Sequence, residues 1–84
     1  MNEIDVKQAV KIATQYLKKL YGGQSISNIR LEEVEFDDEE RNWLITISFI
    51  DIDDLIPERV YKILEIDADT AEVIAMKMRE YDQV

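Results

Sequence analysis

The side chains that could do chemistry in this 84-residue chain are carboxylates, with Lys, Tyr, Ser and Thr as the other candidates. The acids fall into two groups. Asp51-Ile52-Asp53-Asp54 has alternating oxygen donors of the kind that opens a calcium loop. Glu32, Glu33, Glu35, Asp37, Asp38, Glu39 and Glu40 form a run with apolar interruptions. An EF-hand loop needs Gly at its sixth position and Glu at its twelfth. Counting from Asp51, those positions hold Ile56 and Lys62; counting from Asp67, they hold Glu72 and Met78. Neither start fits, so no metal site is assigned and the acids read as solvated turns. Paired carboxylates act as acid and base only where their environments differ. A single thin layer leaves little room for a pocket of ~300 Å³ or more. The acidic run therefore reads as a charged strand edge and hairpin that discourages edge-to-edge pairing. A negative surface for a basic partner is the other reading.

Composition narrows the chemistry further. There are no Cys and no His. That removes disulfides, thiolate zinc sites and cysteine nucleophiles, and with them any Ser-His-Asp arrangement. Nineteen acids against ten bases give a formal charge of -9, which repels phosphate backbones and anionic membranes. The bases are scattered, with only Lys18-Lys19 adjacent. Nucleic acid and membrane are not expected as partners, and no cofactor and no catalytic residue is assigned. The first residues, Met1-Asn2-Glu3-Ile4-Asp5, are acidic where a secretory signal is basic, and no apolar run reaches the ~18 residues of a bilayer span. A cytoplasmic location is the expectation.

The elements follow from periodicity. Ile4, Val6, Ala9, Val10, Ala13, Leu17 and Leu20 recur at three- and four-residue steps, predicting a helix over 4–21. Asn2 or Asp5 caps its start, and Gly22-Gly23 stops it. Strands are predicted over 29–36, 42–50, 59–66 and 72–79. In the first, the pairs Ile29/Leu31 and Val34/Phe36 are out of phase, which places a β-bulge at Glu32-Glu33. In the second, Trp43, Ile45, Ile47 and Phe49 share one face, and Leu44, Thr46, Ser48 and Ile50 the other. In the third, Val60, Leu64 and Ile66 oppose Tyr61 and Ile63. Ile74, Met76 and Met78 alternate in the fourth. The fold class is α+β: one N-terminal helix packed on a four-stranded antiparallel sheet, in a single domain spanning 1–84. Trp43 is expected to pack in the core.

The order of these elements is familiar. The helix has spaced Ala9 and Ala13, then comes the acidic strand Leu31-Glu32-Glu33-Val34-Glu35-Phe36, and then the Trp-led strand Trp43 to Phe49. The chain ends with Tyr61-Lys62-Ile63-Leu64-Glu65-Ile66-Asp67-Ala68-Asp69-Thr70-Ala71-Glu72-Val73-Ile74. The chain resembles the PepSY domain, most strongly over Ile66 to Val73, where the family closes on a V-D-A-x-T-G-E-V hairpin. The resemblance implies peptidase inhibition or, more broadly, a protein-binding module without catalytic residues. The family pattern has Gly where this chain has Ala71, so either the turn differs here or it carries strain. PepSY domains usually sit outside the cytoplasm, in contrast to the location expected above.

One helix covers one face of a sheet, which leaves an apolar set on the other. Leu44, Ile50, Leu55, Ile56, Tyr61, Ile63 and Met76 are the candidate protein interface. Leu55-Ile56 either extends that patch or plugs the core edge. A homodimer is the simplest use of it. The expected function is a small cytosolic protein-binding module, inhibitor-like or regulatory. The alternative is an acidic decoy or antitoxin-like neutraliser of a basic effector.

Overall fold

A computed structural model describes residues 3–22 and 25–79. It contains one helix, α1 (Val6–Tyr21), followed by β1 (Ile26–Asp37), β2 (Asn42–Asp51), β3 (Arg59–Asp67) and β4 (Val73–Met78). The strands form an antiparallel sheet in the order β1-β2-β3-β4, so the α+β arrangement read from periodicity is the observed one.

Helix α1 starts where its cap chemistry dictates. Asp5 is extended, its Oδ1 accepts from the Gln8 backbone N–H at 2.8 Å, and Gln8 Oε1 accepts from the Asp5 N–H at 2.8 Å. This reciprocal box satisfies two donors that the first turn would otherwise leave open. Asn2, the other candidate cap, lies outside the described residues. At the far end Lys18 and Lys19 face the negative end of the helix dipole, and Gly22 takes φ +82°. Ala9, Ala13 and Leu17, spaced by four, are fully buried. The two alanines let the helix backbone approach the sheet closely.

Directly paired strand residues share a face, and the register fixes what α1 covers. Val34, Ile45, Leu64 and Met76 stand in one row, and Phe36, Trp43, Ile66 and Val73 in another. Both rows lie on the helix side. Ile45, Ile47, Phe49, Leu64 and Ile66 form the core with Ile26 and the helix stripe. Trp43 packs against that core, sets its ring edge-on to Phe36 at 4.9 Å, and donates from Nε1 to the Ile4 carbonyl at 3.1 Å.

Three irregularities shape the strands. The pairing of β1 with β2 slips between Leu31 and Glu33, where the phase break in the apolar pattern put a bulge. It also slips between Ser27 and Arg30, where Asn28 takes φ +52°. This second bulge lets β1 begin at Ile26, three residues before the predicted start, and returns Ile26 to the buried face. The third slip lies between Glu65 and Ile66 opposite β4: Ala75 pairs with Glu65 and Val73 with Ile66. Ile74 is the extra residue and is exposed. The predicted alternation of Ile74 with Met76 and Met78 is therefore broken, and Met76 sits opposite Leu64 against the core, away from the face on which an interface was expected.

Candidate functional site

Of the acids that suggested metal or acid–base chemistry, Asp37, Asp51 and Asp67 build turns. Asp37 Oδ1 accepts from the N–H groups of Glu39 (3.0 Å) and Glu40 (3.3 Å). Asp51 Oδ1 accepts from Asp53 N–H at 3.0 Å. Asp67 Oδ1 accepts from the N–H groups of Asp69 (2.8 Å) and Thr70 (3.0 Å). Each strand that ends in a hairpin ends in an Asp that bonds the backbone two residues on, the Asx-turn arrangement. Among the described residues no three His, Cys, Asp or Glu side chains group as a metal would require. The depressions along α1 hold about 200 and 260 Å³ and are lined mainly by apolar groups. No described helix is long and apolar enough to cross a membrane.

The candidate interface residues divide into three sets. Leu44, Ile50, Tyr61 and Ile63 do lie on the face away from α1, each half-buried. That face is not bare. Arg59 donates to Ser48 Oγ at 2.9 Å and to the Asn28 carbonyl at 2.9 Å, and Ser48 Oγ donates to Glu32 Oε2 at 2.6 Å. Arg79 pairs with Glu33 and donates to Thr46 Oγ1 at 3.2 Å. Lys77 pairs with Glu65 at 3.2 Å. These long side chains lie over the strands so well that Ser48 is 0% exposed and Thr46 3%. Their charged ends bond hydroxyls and carboxylates along the strands. Met76 belongs to the core side, as described above.

Leu55 and Ile56 form the third set and are the open ones. Leu55 is 95% exposed and Ile56 68%. They do not plug the core edge. Ile52, not singled out from sequence, joins them at 52%. The backbone under them is fixed by Ile52 N–H donating to the Ser25 carbonyl (2.9 Å) and Asp54 N–H to the Asp51 carbonyl (3.3 Å). Among the described residues the other large exposed apolar groups are Val6, Tyr16 and Leu20 on α1, Leu31 on β1, and Ile74 and Met78 on β4.

Charge is also less scattered than simple adjacency suggests. No acid occurs between Asp5 and Glu32, a stretch that holds Lys7, Lys11, Lys18, Lys19 and Arg30. The helix is therefore a basic ridge on an acidic molecule. Plotting acids alone along the sequence would have revealed it.

Among the described residues Arg41, Asp69 and Tyr21 are perturbed. Arg41 bridges the chain start to the β3–β4 turn, donating to Asp69 (3.0 Å to each carboxylate oxygen) and pairing with Glu3. These contacts raise the guanidinium's already high pKa, and the hydrogen bonds from Arg41 lower that of the Asp69 carboxyl. Burial, and then the charge of Asp51, raise the Tyr21 phenol.

The fold and its surface thus define a small helix-on-meander module in which Asp37, Asp51 and Asp67 shape the turns and Glu3, Glu33, Glu65 and Asp69 join ion pairs. The chain belongs to the PepSY family: the family described as "Peptidase propeptide and YPEB domain" matches residues 3–77. Domains of this family are of the propeptide or inhibitor type and generally non-catalytic. No curated protein and no solved structure matches the chain.

Proposed function

We propose that the protein is a non-catalytic regulatory module that binds a peptidase and restrains it. The observation that carries this reading is the family match over residues 3–77, in a family described by peptidase propeptides. The surface offers a physical means. Strand β4 is an outer strand of the sheet, and a partner's extended segment can add to such an edge through main-chain hydrogen bonds. Ile74 and Met78 are exposed on it, and Met adapts to varied apolar surfaces. The test is a fluorogenic assay of the source's own peptidases with the purified protein added. Inhibition should weaken at least tenfold in Ile74→Lys with Met78→Lys. Unchanged turnover by every peptidase would overturn the reading.

A second reading, an acidic decoy or neutraliser of a basic effector, is favoured by one observation. Asp38, Glu39 and Glu40 at one end of β2, and Asp53, Asp54 and Glu58 at the other, are all exposed. A complex of that kind weakens steeply with salt, whereas strand addition to β4 barely changes. Measuring binding at low and high salt separates the two.

A further inference from the structure

The β2–β3 loop and helix α1 carry opposite versions of the same surface. In residues 51–58 the exposed Ile52, Leu55 and Ile56 are interleaved with Asp51, Asp53, Asp54 and Glu58, and no cation occurs there. A side chain as open as Leu55, 95% exposed, forgoes the stabilisation that burial would give it. On the other side of this complementarity, Val6, Val10 and Leu31 line an open groove of about 260 Å³ between α1 and β1, with Lys7 as its charged member. Lys11 follows one turn later on the same acid-free helix. Drug-sized ligands occupy sites of roughly 300–1,000 Å³; this smaller groove suits an aliphatic side chain.

We propose that the loop of one copy docks in the α1–β1 groove of a second copy, Leu55 and Ile56 entering among Val6, Val10 and Leu31 while Asp53 and Asp54 face Lys7 and Lys11. A chain of net charge -9 repels its own copies at most approaches, and an acidic patch meeting a basic one is the exception. Within one chain the loop does not fill the groove, since Leu55 is 95% exposed and Leu31 51%. The contact is heterologous: each copy offers one loop and one groove, so assembly closes into a ring or extends as a chain. It does not depend on the peptidase reading.

Sedimentation velocity on the full chain tests it, from ~5 to ~500 µM, in ~50 mM and ~500 mM NaCl, where the Debye length falls from roughly 14 Å to about 4 Å. Mass should grow with concentration at low salt and much less at high salt. Leu55→Ser with Ile56→Ser should weaken association more than tenfold, and so should Lys7→Glu with Lys11→Glu. All four positions are exposed, and circular dichroism checks that each variant is folded. The decisive experiment mixes the two variants. One retains its groove and the other its loop, so a 1:1 dimer should form that grows no further. A monomer at every concentration overturns the proposal, as does assembly indifferent to Leu55 and Ile56, or a mixture that stays monomeric.

Discussion

The two faces of the sheet are closed by different physics. On the helix side Ile45, Ile47, Phe49, Leu64 and Ile66 meet Ala9, Ala13 and Leu17, and the closure is apolar. On the far side Ser48 and Thr46 are almost as inaccessible, yet what lies over them is Arg59, Arg79 and their acid partners. Burial alone does not distinguish the two faces; the nature of the cover does. An apolar cover is insensitive to salt and intolerant of lost volume. An ionic cover responds to salt, loses little when one side chain is shortened, and can be lifted by a partner.

The sharpest way to break this contrast is to cut volume from the helix side. Phe49 is fully buried and meets the Tyr21 ring at a tilt of 57° and a centroid distance of 5.1 Å. Phe49→Ala should cost about 3–5 kcal/mol, because the lost transfer energy is joined by a cavity that α1 and the sheet cannot collapse. Urea denaturation reads this directly. A loss below about 1 kcal/mol would mean that this face is not the principal core.

The equivalent cut on the far side should be smaller. Arg59→Met keeps an unbranched stem over the strands but removes the donors to Ser48 and Asn28. A loss of about 1.5–3 kcal/mol is expected, the range for hydrogen bonds involving a charged group. The variant's stability should also depend less on salt than the parent's. A loss as large as that of Phe49→Ala would erase the distinction between the two covers.

These two faces also mark what could be read from the sequence. Which face the helix covers was not legible, but the helix and the two faces of β2 were, from the apolar stripe Val6, Ala9, Val10, Ala13, Leu17 and Leu20 and the period-2 alternation in Asn42 to Ile50, because burying a face demands a periodic pattern. The bulge at Glu32-Glu33 was legible for the same reason. The slip at Ile74 was not: an extra residue in β4 shows only in its pairing with β3, and it moved Met76 to the core side. Nor was the ionic cover legible. Arg59, Arg79, Glu32 and Glu33 are distant in sequence, and their convergence on Ser48 and Thr46 follows from strand register. Leu55 and Ile56 could be flagged, but their near-complete exposure depends on a loop that leads away from the core. Ala71 was legible as an anomaly, a residue with a Cβ where the family has Gly.

That anomaly leads to the third prediction. Ala71 takes φ +66°, in the left-handed region, at the turn that hands β3 over to β4. A left-handed conformation costs an L-residue about 1–2 kcal/mol, partly offset by the greater entropy that Gly loses on folding. Ala71→Gly should therefore stabilise by about 0.5–1 kcal/mol. The gain should be the same in Arg59→Met as in the parent, since the turn sets register for both faces and belongs to neither cover. A loss of stability would mean that the Ala71 methyl makes contacts worth more than the strain.

The smallest expected effect separates two kinds of ion pair. Arg79 and Arg59 lie across the sheet and are partly buried, whereas the Arg41 cluster with Asp69 and Glu3 stands in solvent. The Arg41 hydrogen bonds hold the folded Asp69 carboxyl below its ordinary pKa. The sign follows: whatever Asp69 contributes is complete above the unfolded carboxyl pKa and is lost as pH falls through the lower folded value. Because the pair is exposed, the contribution to stability should be slight. The titration midpoint itself is the better measure. Followed by NMR at the Asp69 side-chain carbonyl, it should rise in Arg41→Gln and also rise toward its ordinary value at ~500 mM salt, where screening acts within about 4 Å. The Arg59 cover should keep more of its effect at that salt, because part of it is shielded from solvent. A midpoint unmoved by Arg41→Gln would show that the cluster is a geometric neighbour without an electrostatic role, in contrast to the ionic cover of the far face.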